Sequence, residues 1–426
     1  MQILSALAIA LAAGLFLSRV TKKLGLPSVT AYLVAGILIG PYGLGRFGVA
    51  GMGFTSAENL RQFELISHVA LGFIAFAIGN EFRLSQLKKI GKQATFIGIF
   101  QAVVATLMVD ATLLVLHLVL KDALPVPMAI TLGAIAAATA PAATLMVVRQ
   151  YKAKGKLTDL LLPIVAIDDA VGLIVFAVSF GIAKALLNGE FNLIAILVEP
   201  LLEIVCSLLL GTVMGYLFHR AEKFFSSNSK RLSLSVAFVF LTVALSMLKI
   251  HLGPVTIGFS SLLVCMMLGT MFCNLCDFSA DIMDRTDKWT APLFTLFFVL
   301  SGAELELNVF RSLPIIGIGV AYILARSLGK YLGASGSAKL MRCEESTVKY
   351  LGITLLPQAG VALGMSVTVA SLGETGALIR NIVLFSVLIY ELIGPVLTKI
   401  ALMKAGDIQP RPIEKSRKHR QAPAKF

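Results

Sequence analysis

The sequence predicts an all-α polytopic membrane protein with about thirteen transmembrane helices, and three observations lead to this fold class. Of its 426 residues, 57% are hydrophobic and only 14% are charged, whereas soluble domains carry charges on about a quarter of their residues. The mean hydropathy is +0.86. Apolar segments long enough to cross a bilayer as helices follow one another along the chain. We therefore expect one membrane domain over residues 1–406.

Windows of about 20 apolar residues divide this domain into thirteen candidate spans. In chain order they cover residues 2–20, 27–43, 66–82, 93–118, 126–148, 158–184, 192–217, 231–249, 252–272, 290–305, 313–336, 347–371 and 377–403. An odd number of spans places the two termini on opposite sides of the membrane.

The basic residues orient these spans. Loops after odd-numbered spans, together with the C-terminal tail, hold 28 of the 37 lysine and arginine residues, and loops after even-numbered spans hold 7. The remaining two, Arg326 and Lys330, fall inside span eleven. Because positively charged loops stay in the cytoplasm, we expect the N-terminus outside and the C-terminus inside. The same bias accounts for the net charge of +13 without a nucleic-acid partner.

The tail, residues 407–426, is rich in proline, lysine and arginine and has almost no apolar residues. Such a segment cannot bury a core, so we expect it to be disordered in the cytoplasm. Contact with anionic lipids is one possible role, since a basic residue near such a surface contributes about 1 kcal/mol. A solvated determinant of topology is the simpler interpretation.

Two spans carry helix-breaking residues near the middle of the membrane, where proline removes a backbone donor and clashes with the preceding turn. They are span five, with Thr139-Ala-Pro141-Ala-Ala-Thr144, and span twelve, with Pro357-Gln358-Ala-Gly360. If span seven is a linker, spans one to six and eight to thirteen form two halves, and five corresponds to twelve. Because one linker span follows a unit of six spans, the second half crosses the membrane in the opposite direction to the first. Transporters built from inverted repeats have interrupted helices at such matching positions.

Asp168 and Asp169 lie side by side in span six, and between residues 160 and 183 no other side chain is ionisable. A carboxylate at bilayer depth costs at least about 2.5 to 3.5 kcal/mol. Two adjacent ones therefore predict a functional site. Glu391, in span thirteen, falls in the same group of spans by the repeat argument, and we expect it to support the interrupted span twelve. Gln101 and Gln358 are candidates for lining the pathway.

Several stretches resemble the monovalent cation/proton antiporters, in particular the double-aspartate branch of the sodium/proton exchangers. The resemblance covers nearly the whole chain up to the tail, and the order of the pieces is more specific than any one of them. The pieces are Thr139-Ala-Pro-Ala-Ala-Thr144, Ala166-Ile-Asp168-Asp169-Ala170, Gly25-Leu26-Pro27, Ala35-Gly36-Ile-Leu-Ile-Gly40-Pro41, Phe76-Ala-Ile-Gly79-Asn80-Glu81, Phe297-Phe-Val-Leu-Ser-Gly302 and Gly329-Lys330-Tyr-Leu-Gly333.

The resemblance implies a homodimer in the plasma membrane of a prokaryote, whose protomers each have a dimerisation domain and a core domain. The core would hold residues 93–184 and 313–403, with the two interrupted helices crossing inside it. The resemblance also implies that Asp169 binds the transported cation and the proton, completed by backbone at Thr139. Asp168 would pair with a basic residue of span eleven.

Two residues of span eleven compete for that pairing. Arg326 and Lys330 are four apart and therefore share a helix face. Arg326 matches the depth of the aspartates better, whereas Lys330 matches the Gly-Lys-x-x-Gly pattern of the family. The sequence leaves both open. The choice bears on stoichiometry, because a buried lysine can lose its proton and arginine effectively cannot.

The predicted chemistry is exchange without a cofactor. A hard monovalent cation prefers oxygen ligands, which a carboxylate and free backbone carbonyls supply. Protons and cations competing for one buried aspartate would be exchanged if the site moves only when occupied. A potassium/proton antiporter, or a potassium-efflux component of the same superfamily, is the alternative. An intramembrane aspartyl protease is remote, since its two carboxylates must face each other from different elements.

Overall fold

A computed structural model of the chain confirms the all-helical membrane fold class. It describes residues 2–23, 28–47, 53–56, 60–84, 91–140, 144, 147–148, 151–187, 199–248, 250–252, 255–306 and 312–408. Eight of the described helices are long and apolar enough to cross a membrane, and further apolar helices are 10–17 residues long. Each predicted span overlaps a described helix, while the count of thirteen stays a prediction.

The helices are α1 (Gln2–Lys23), α2 (Ser28–Ile39), α3 (Glu64–Glu81), α4 (Lys92–Leu120), α5 (Val126–Ala136), α6 (Lys156–Leu187), α7 (Glu199–Glu222), α8 (Asn228–Ser246), α9 (Ser261–Leu275), α10 (Ser279–Ala303), α11 (Leu313–Leu340), α12 (Glu345–Thr354), α13 (Gly360–Thr368) and α14 (Glu374–Lys404). Short 3-10 helices cover Leu44–Phe47, Lys121–Ala123 and Val369–Leu372.

The start of predicted span nine is a β-hairpin rather than a helix. Strands β1 (Ile250–Leu252) and β2 (Val255–Ile257) pair antiparallel, which suits the β-branched residues in both. Helix α9 then begins at Ser261, where the Ser260 side chain accepts a hydrogen bond from the backbone N–H of Leu263. This serine cap satisfies one of the free donors at the helix start.

Helices α4 and α11 pack along their length because glycines let them approach closely. A Cβ added to Gly329 would lie 2.8 Å from the Cα of Ala105, and one added to Gly333 would lie 2.8 Å from the Cα of Gln101. Small residues four apart are a common way to bring membrane helices together. This packing aligns the polar face of α11, which carries Arg326 and Lys330, with α5 and α6.

Two other helix pairs pack backbone against backbone. In α2–α10, a Cβ on Gly36 would lie 2.0 Å from the carbonyl oxygen of Val299. In α3–α9, a Cβ on Gly79 would lie 1.9 Å from the carbonyl oxygen of Met266. If α7 is the linker between two repeats, α2 corresponds to α9 and α3 corresponds to α10. The pairs α2–α10 and α3–α9 are then equivalent, as expected of two repeats.

The end of α14 is fastened to the start of α6. Asp407 Oδ2 accepts hydrogen bonds from the backbone N–H and the hydroxyl of Thr158, both at 2.7 Å. Its carbonyl accepts from the N–H of Lys154 at 2.9 Å. Asp407 and Ile408, which the sequence assigns to the tail, are therefore packed, being 8% and 6% exposed. Residues 409–426 lie outside the described residues.

Candidate functional site

The candidate site is built where two helices are interrupted. Helix α5 ends at Ala136, and the backbone up to Ala140 is not helical. The second interruption covers residues 355–359, between α12 and α13. The two meet, because the N–H of Ala140 donates to the carbonyl of Pro357 at 2.8 Å. By contrast, Pro163 lies inside α6, Pro292 inside α10 and Pro395 inside α14, and each of these helices continues past its proline.

A second contact holds the two interrupted segments together. The hydroxyl of Thr144 donates to the carbonyl of Thr354 at 3.2 Å, and that of Thr139 lies 3.4 Å from the carbonyl of Leu355. Both threonines predicted from the sequence therefore face the second interruption. Pro141 itself lies outside the described residues.

Arg326 binds the free carbonyls of both interruptions. Its Nε donates to Ala136 at 3.0 Å and its Nη2 to Ala138 at 2.7 Å, while its Nη1 donates to Leu356 at 2.7 Å. The side chain is 0% exposed, and its guanidinium lies 4.5 Å from the ring centroid of Tyr390. Helix C-termini carry partial negative charge, so one fixed cation neutralises the ends of α5 and α12.

Lys330, one turn further along α11, forms an ion pair with Asp168. Its Nζ lies 2.8 Å from Oδ2 and 3.1 Å from Oδ1 of the aspartate, and both side chains are 0% exposed. The ammonium also donates to the hydroxyl of Thr139 at 2.9 Å and to the carbonyl of Ala137. Of the two basic residues that the sequence leaves open, Lys330 is therefore the one in contact with Asp168.

Neutral donors complete the surroundings of Asp168. The amide of Gln101 donates to Oδ1, and the hydroxyl of Thr139 donates to Oδ2. Each oxygen thus accepts from a charged and from a neutral group. A buried ion pair is stable only when its remaining lone pairs and protons are also satisfied, and this arrangement meets that condition.

Asp169 follows Asp168 within α6, beside the same interruption. Its side chain lies outside the described part of the structure. The described residues before and after it in α6 lie at the first interruption: Asp168 accepts from the hydroxyl of Thr139, and a Cβ on Gly172 would lie 3.6 Å from Ala137 and Ala138. Carboxylate, hydroxyl and carbonyl oxygens are the ligands that hard cations prefer.

Gln358 lies inside the crossing. Its Nε2 donates to the carbonyl of Ile135 at 3.0 Å and to the hydroxyl of Tyr322 at 3.0 Å, and the glutamine is fully buried. It thereby links the second interruption to the last turn of α5. Gly360 begins α13 directly after it.

Glu391, which the sequence predicts to support span twelve, makes no side-chain hydrogen bond among the described residues. The residue is 1% exposed, yet neither carboxylate oxygen has a hydrogen-bond partner among the described residues. The contact with the interruption is made one turn later, where a Cβ on Gly394 would lie 2.9 Å from the Cγ of Pro357. The backbone carbonyl of Glu391 accepts a hydrogen bond from the hydroxyl of Thr30 at 3.4 Å.

The cysteines do not form a second site in the described part of the chain. Burial raises the pKa of the Cys276 thiol to about 11, which leaves it almost entirely protonated at neutral pH and unreactive. Among the described residues, no group of three or more histidine, cysteine, aspartate or glutamate side chains could hold a metal ion.

Three residues make contacts at the site that the sequence does not predict. Gln101 is expected to line a pathway and instead bonds Asp168; Tyr322 and Tyr390, which hold Gln358 and face Arg326, give no signal at all. In an apolar helix the sequence does not distinguish a tyrosine that hydrogen-bonds from one that only packs.

The model of the transmembrane sodium/hydrogen exchanger family matches residues 7–404. Two curated relatives cover most of the chain. A Na⁺/H⁺ antiporter 1 from Methanocaldococcus jannaschii is 25% identical over 346 residues, which are 79% of this chain and 77% of the relative. A Na⁺/H⁺ antiporter from Enterococcus hirae is 23% identical over 417 residues, which are 94% of this chain and 99% of the relative.

A solved structure has the same fold. The sodium proton antiporter from Methanocaldococcus jannaschii, solved at pH 8, superposes with a TM-score of 0.72 at 20% sequence identity. The match covers 96% of this chain and 99% of that one.

Proposed function

This chain belongs to the sodium/hydrogen exchanger family, and from that premise we propose that it exchanges sodium ions for protons across a membrane. The family is one of integral membrane transporters, so the chain is not an enzyme and the aspartyl protease alternative is wrong. The two curated relatives, both named as Na⁺/H⁺ antiporters, support sodium over potassium as the cation.

The exchange site that we propose is Asp169 with the backbone at Thr139. The observation that carries this proposal is the ion pair beside it, in which Lys330 and Asp168 are both 0% exposed. Asp168 has its charge and its lone pairs satisfied by Lys330, Gln101 and Thr139. It is therefore the structural member of the aspartate pair, and Asp169 is left to bind the transported ion.

Competition at Asp169 produces the exchange. Desolvation in the membrane favours the protonated carboxyl, whereas the nearby cations Lys330 and Arg326 favour the carboxylate. When these effects are close to balance, a sodium ion binds the carboxylate and displaces its proton. A site that changes sides only when occupied then carries a cation one way and protons the other.

We propose that the moving part is the core of residues 93–184 and 313–403. In this group both interruptions are held to α11 by Arg326, and the first is also held to α6 by the bond from Thr139 to Asp168. A group connected in this way can move as one body without exposing its own polar contacts. The remaining helices would form the scaffold and the contact between two protomers of a homodimer.

The proposed orientation has the N-terminus outside and the C-terminus in the cytoplasm of a prokaryote, with the protein in the plasma membrane. It rests on the bias of basic residues toward loops after odd-numbered spans. The basic segment after Ile408 then lies next to the anionic inner leaflet.

Proteoliposomes with an imposed pH gradient test the proposed function. Adding sodium to wild-type protein should dissipate the gradient, and Asp169→Asn should abolish this because the amide cannot carry a proton in exchange. Asp159→Asn is the matched control, since Asp159 is an exposed aspartate at the start of the same helix. Dissipation by potassium alone would support the potassium alternative, and sodium exchange that persists in Asp169→Asn would contradict the site.

A further inference from the structure

Glu391 is a buried carboxyl group that the proposed site does not use. It lies in α14, 1% exposed, with no hydrogen-bond partner for either oxygen among the described residues. An isolated carboxylate in such surroundings is costly, and a buried group of this kind becomes neutral instead. We therefore expect Glu391 to hold a proton in this conformation.

The helices packed against α14 offer Glu391 no free charge. These are α2, α5, α11, α12 and α13; Tyr32 is the only ionisable side chain in α2, and α5 and α13 have none. In α12 the ionisable residues are Glu345, Lys349 and Tyr350, near its start. The cations of α11 at this depth, Arg326 and Lys330, bind carbonyls and Asp168.

The sequence around Glu391 repeats the sequence around Asp169. Span six reads Val165-Ala-Ile-Asp-Asp169-Ala-Val-Gly172, and span thirteen reads Val387-Leu-Ile-Tyr-Glu391-Leu-Ile-Gly394. Valine, isoleucine, the acidic residue and glycine recur at the same spacing. Spans six and thirteen are also the equivalent members of the two predicted repeats, so this alignment places Glu391 where the first repeat has Asp169.

Contacts in the structure agree with that alignment. A Cβ on Gly172 would lie 3.6 Å from Ala137 and Ala138, at the first interruption, and one on Gly394 would lie 2.9 Å from Pro357, at the second. Both glycines thus pack against the interrupted helix of their own repeat.

We propose that Glu391 is a second proton-binding site, the repeat counterpart of Asp169, and that its proton is carried in the transport cycle. The inference rests on the proposed exchange. A proton suits the site better than a metal cation, which would need several oxygen ligands. Its backbone carbonyl touches Thr30 of α2, a helix outside the proposed core, so movement of the core past α2 in either direction would expose the carboxyl to water. Glu391 would then bind a proton on one side of the membrane, release it on the other, and return ionised with the cation-loaded core.

The proposal fixes the stoichiometry. One proton is displaced from Asp169 by the cation, and one is bound and released by Glu391, so two protons cross for each cation and one net charge moves. Lys330 stays protonated in its pair with Asp168. With the voltage clamped to zero, a two-proton exchanger comes to rest when the cation gradient equals the square of the proton gradient, and a one-proton exchanger when the two are equal.

Proteoliposomes clamped at zero voltage measure this exponent. A proton gradient of about tenfold should hold a cation gradient of about 100-fold in wild type and of about tenfold in Glu391→Gln, since each further proton adds its gradient to the coupling free energy. Glu391→Asp keeps a carboxyl group and should retain the wild-type exponent. Asp110→Asn is the matched control, because Asp110 is a half-buried membrane carboxyl with an unbonded oxygen in α4; it should also behave as wild type.

An exponent of one in wild type, or of two in Glu391→Gln, would overturn the inference while leaving the exchange itself intact. Absence of any exchange in wild type would instead contradict the proposed function. If Glu391→Gln does not transport, infrared difference spectra of purified wild type and variant at neutral pH decide the matter. A lost C=O band of a neutral carboxyl supports the proposal, and a lost carboxylate band contradicts it.

Discussion

The ion pair of Lys330 and Asp168 is completely enclosed, so its energetics depend on what remains when one partner is removed. The lysine contacts both oxygens of the aspartate, the hydroxyl of Thr139 and the carbonyl of Ala137. Such a pair contributes little stability by itself, because desolvating two charges offsets their attraction. What it does provide is a fixed place for Asp168 beside the first interruption.

Replacing Lys330 by glutamine should lower the free energy of unfolding by about 3 to 5 kcal/mol, because Asp168 is left as a buried charge without a counterion. Thermal unfolding in detergent measures the loss. The double variant Lys330→Gln with Asp168→Asn removes both charges and should recover most of the stability. Equal decreases in the free energy of unfolding in the single and double variants would show that the uncompensated charge of Asp168 is not the cause of the destabilisation.

At this scale the sequence predicts the acidic residues of the site but not the basic partner. Two aspartates in an apolar helix are recognisable because each is costly there. Arg326 and Lys330 are equally costly and share a helix face, and depth along the helix favours Arg326 although Lys330 is the residue that contacts Asp168. What separates them is the path of the backbone after Ala136, which directs carbonyls toward Arg326. Residue types alone do not specify that path.

Among the elements, the interrupted helices depend most on a single side chain. The carbonyls of Ala136, Ala138 and Leu356 lie at or beyond the ends of α5 and α12, and all accept from Arg326. Hydrogen bonds to charged groups contribute about 1.5 to 3 kcal/mol each. The planar guanidinium can serve several carbonyls in fixed directions, whereas an ammonium is a point charge on a flexible stem.

Arg326→Lys should therefore lower the free energy of unfolding by about 3 kcal/mol and slow exchange, although the charge is conserved. Thermal unfolding and proteoliposome fluxes measure the two effects. Arg285→Lys is the control, since Arg285 pairs with Asp281 on an exposed helix turn and such pairs contribute under about 1 kcal/mol. Similar behaviour of the two variants would mean that charge alone, and not donor geometry, supports the crossing.

The elements themselves are mostly predicted from apolar length, and both interruptions from Pro141 and Pro357. Proline alone does not predict an interruption, however. Pro163, Pro292 and Pro395 lie inside continuous helices, where neighbouring membrane helices tolerate them. The matching positions of the two motifs make the difference. The hairpin before α9 is not predicted, because its strands are too short to show a pattern.

Across the whole molecule, glycine contacts decide which helices form a rigid unit. In α2–α10, Gly36 and Gly302 bring the two backbones so close that added Cβ atoms would lie 2.0 Å and 2.1 Å from carbonyl oxygens. Backbone cannot move aside as a flexible side chain can. The two helices are thus fixed in register. A scaffold needs this rigidity if a core is to slide against it.

Gly36→Ala should lower the free energy of unfolding by about 3 kcal/mol or more, because the overpacking is against backbone. Gly336→Ala is the matched control: no atom lies within 4 Å of an added Cβ there, and alanine is favoured over glycine in a helix by about 0.5 to 1 kcal/mol. Size-exclusion profiles and thermal unfolding compare them. A tolerated Gly36→Ala would contradict the close approach of α2 and α10.

The central claim is that a sodium ion and a proton compete for Asp169. The apparent sodium affinity of the purified protein, measured by calorimetry from pH 5 to 9, tests it most directly. Where the site is mostly protonated, one competing proton predicts that the affinity falls about tenfold for each unit of decreasing pH, and that Asp169→Asn binds no sodium at any pH. A sodium affinity that does not change with pH, or binding that survives in Asp169→Asn, would contradict the account.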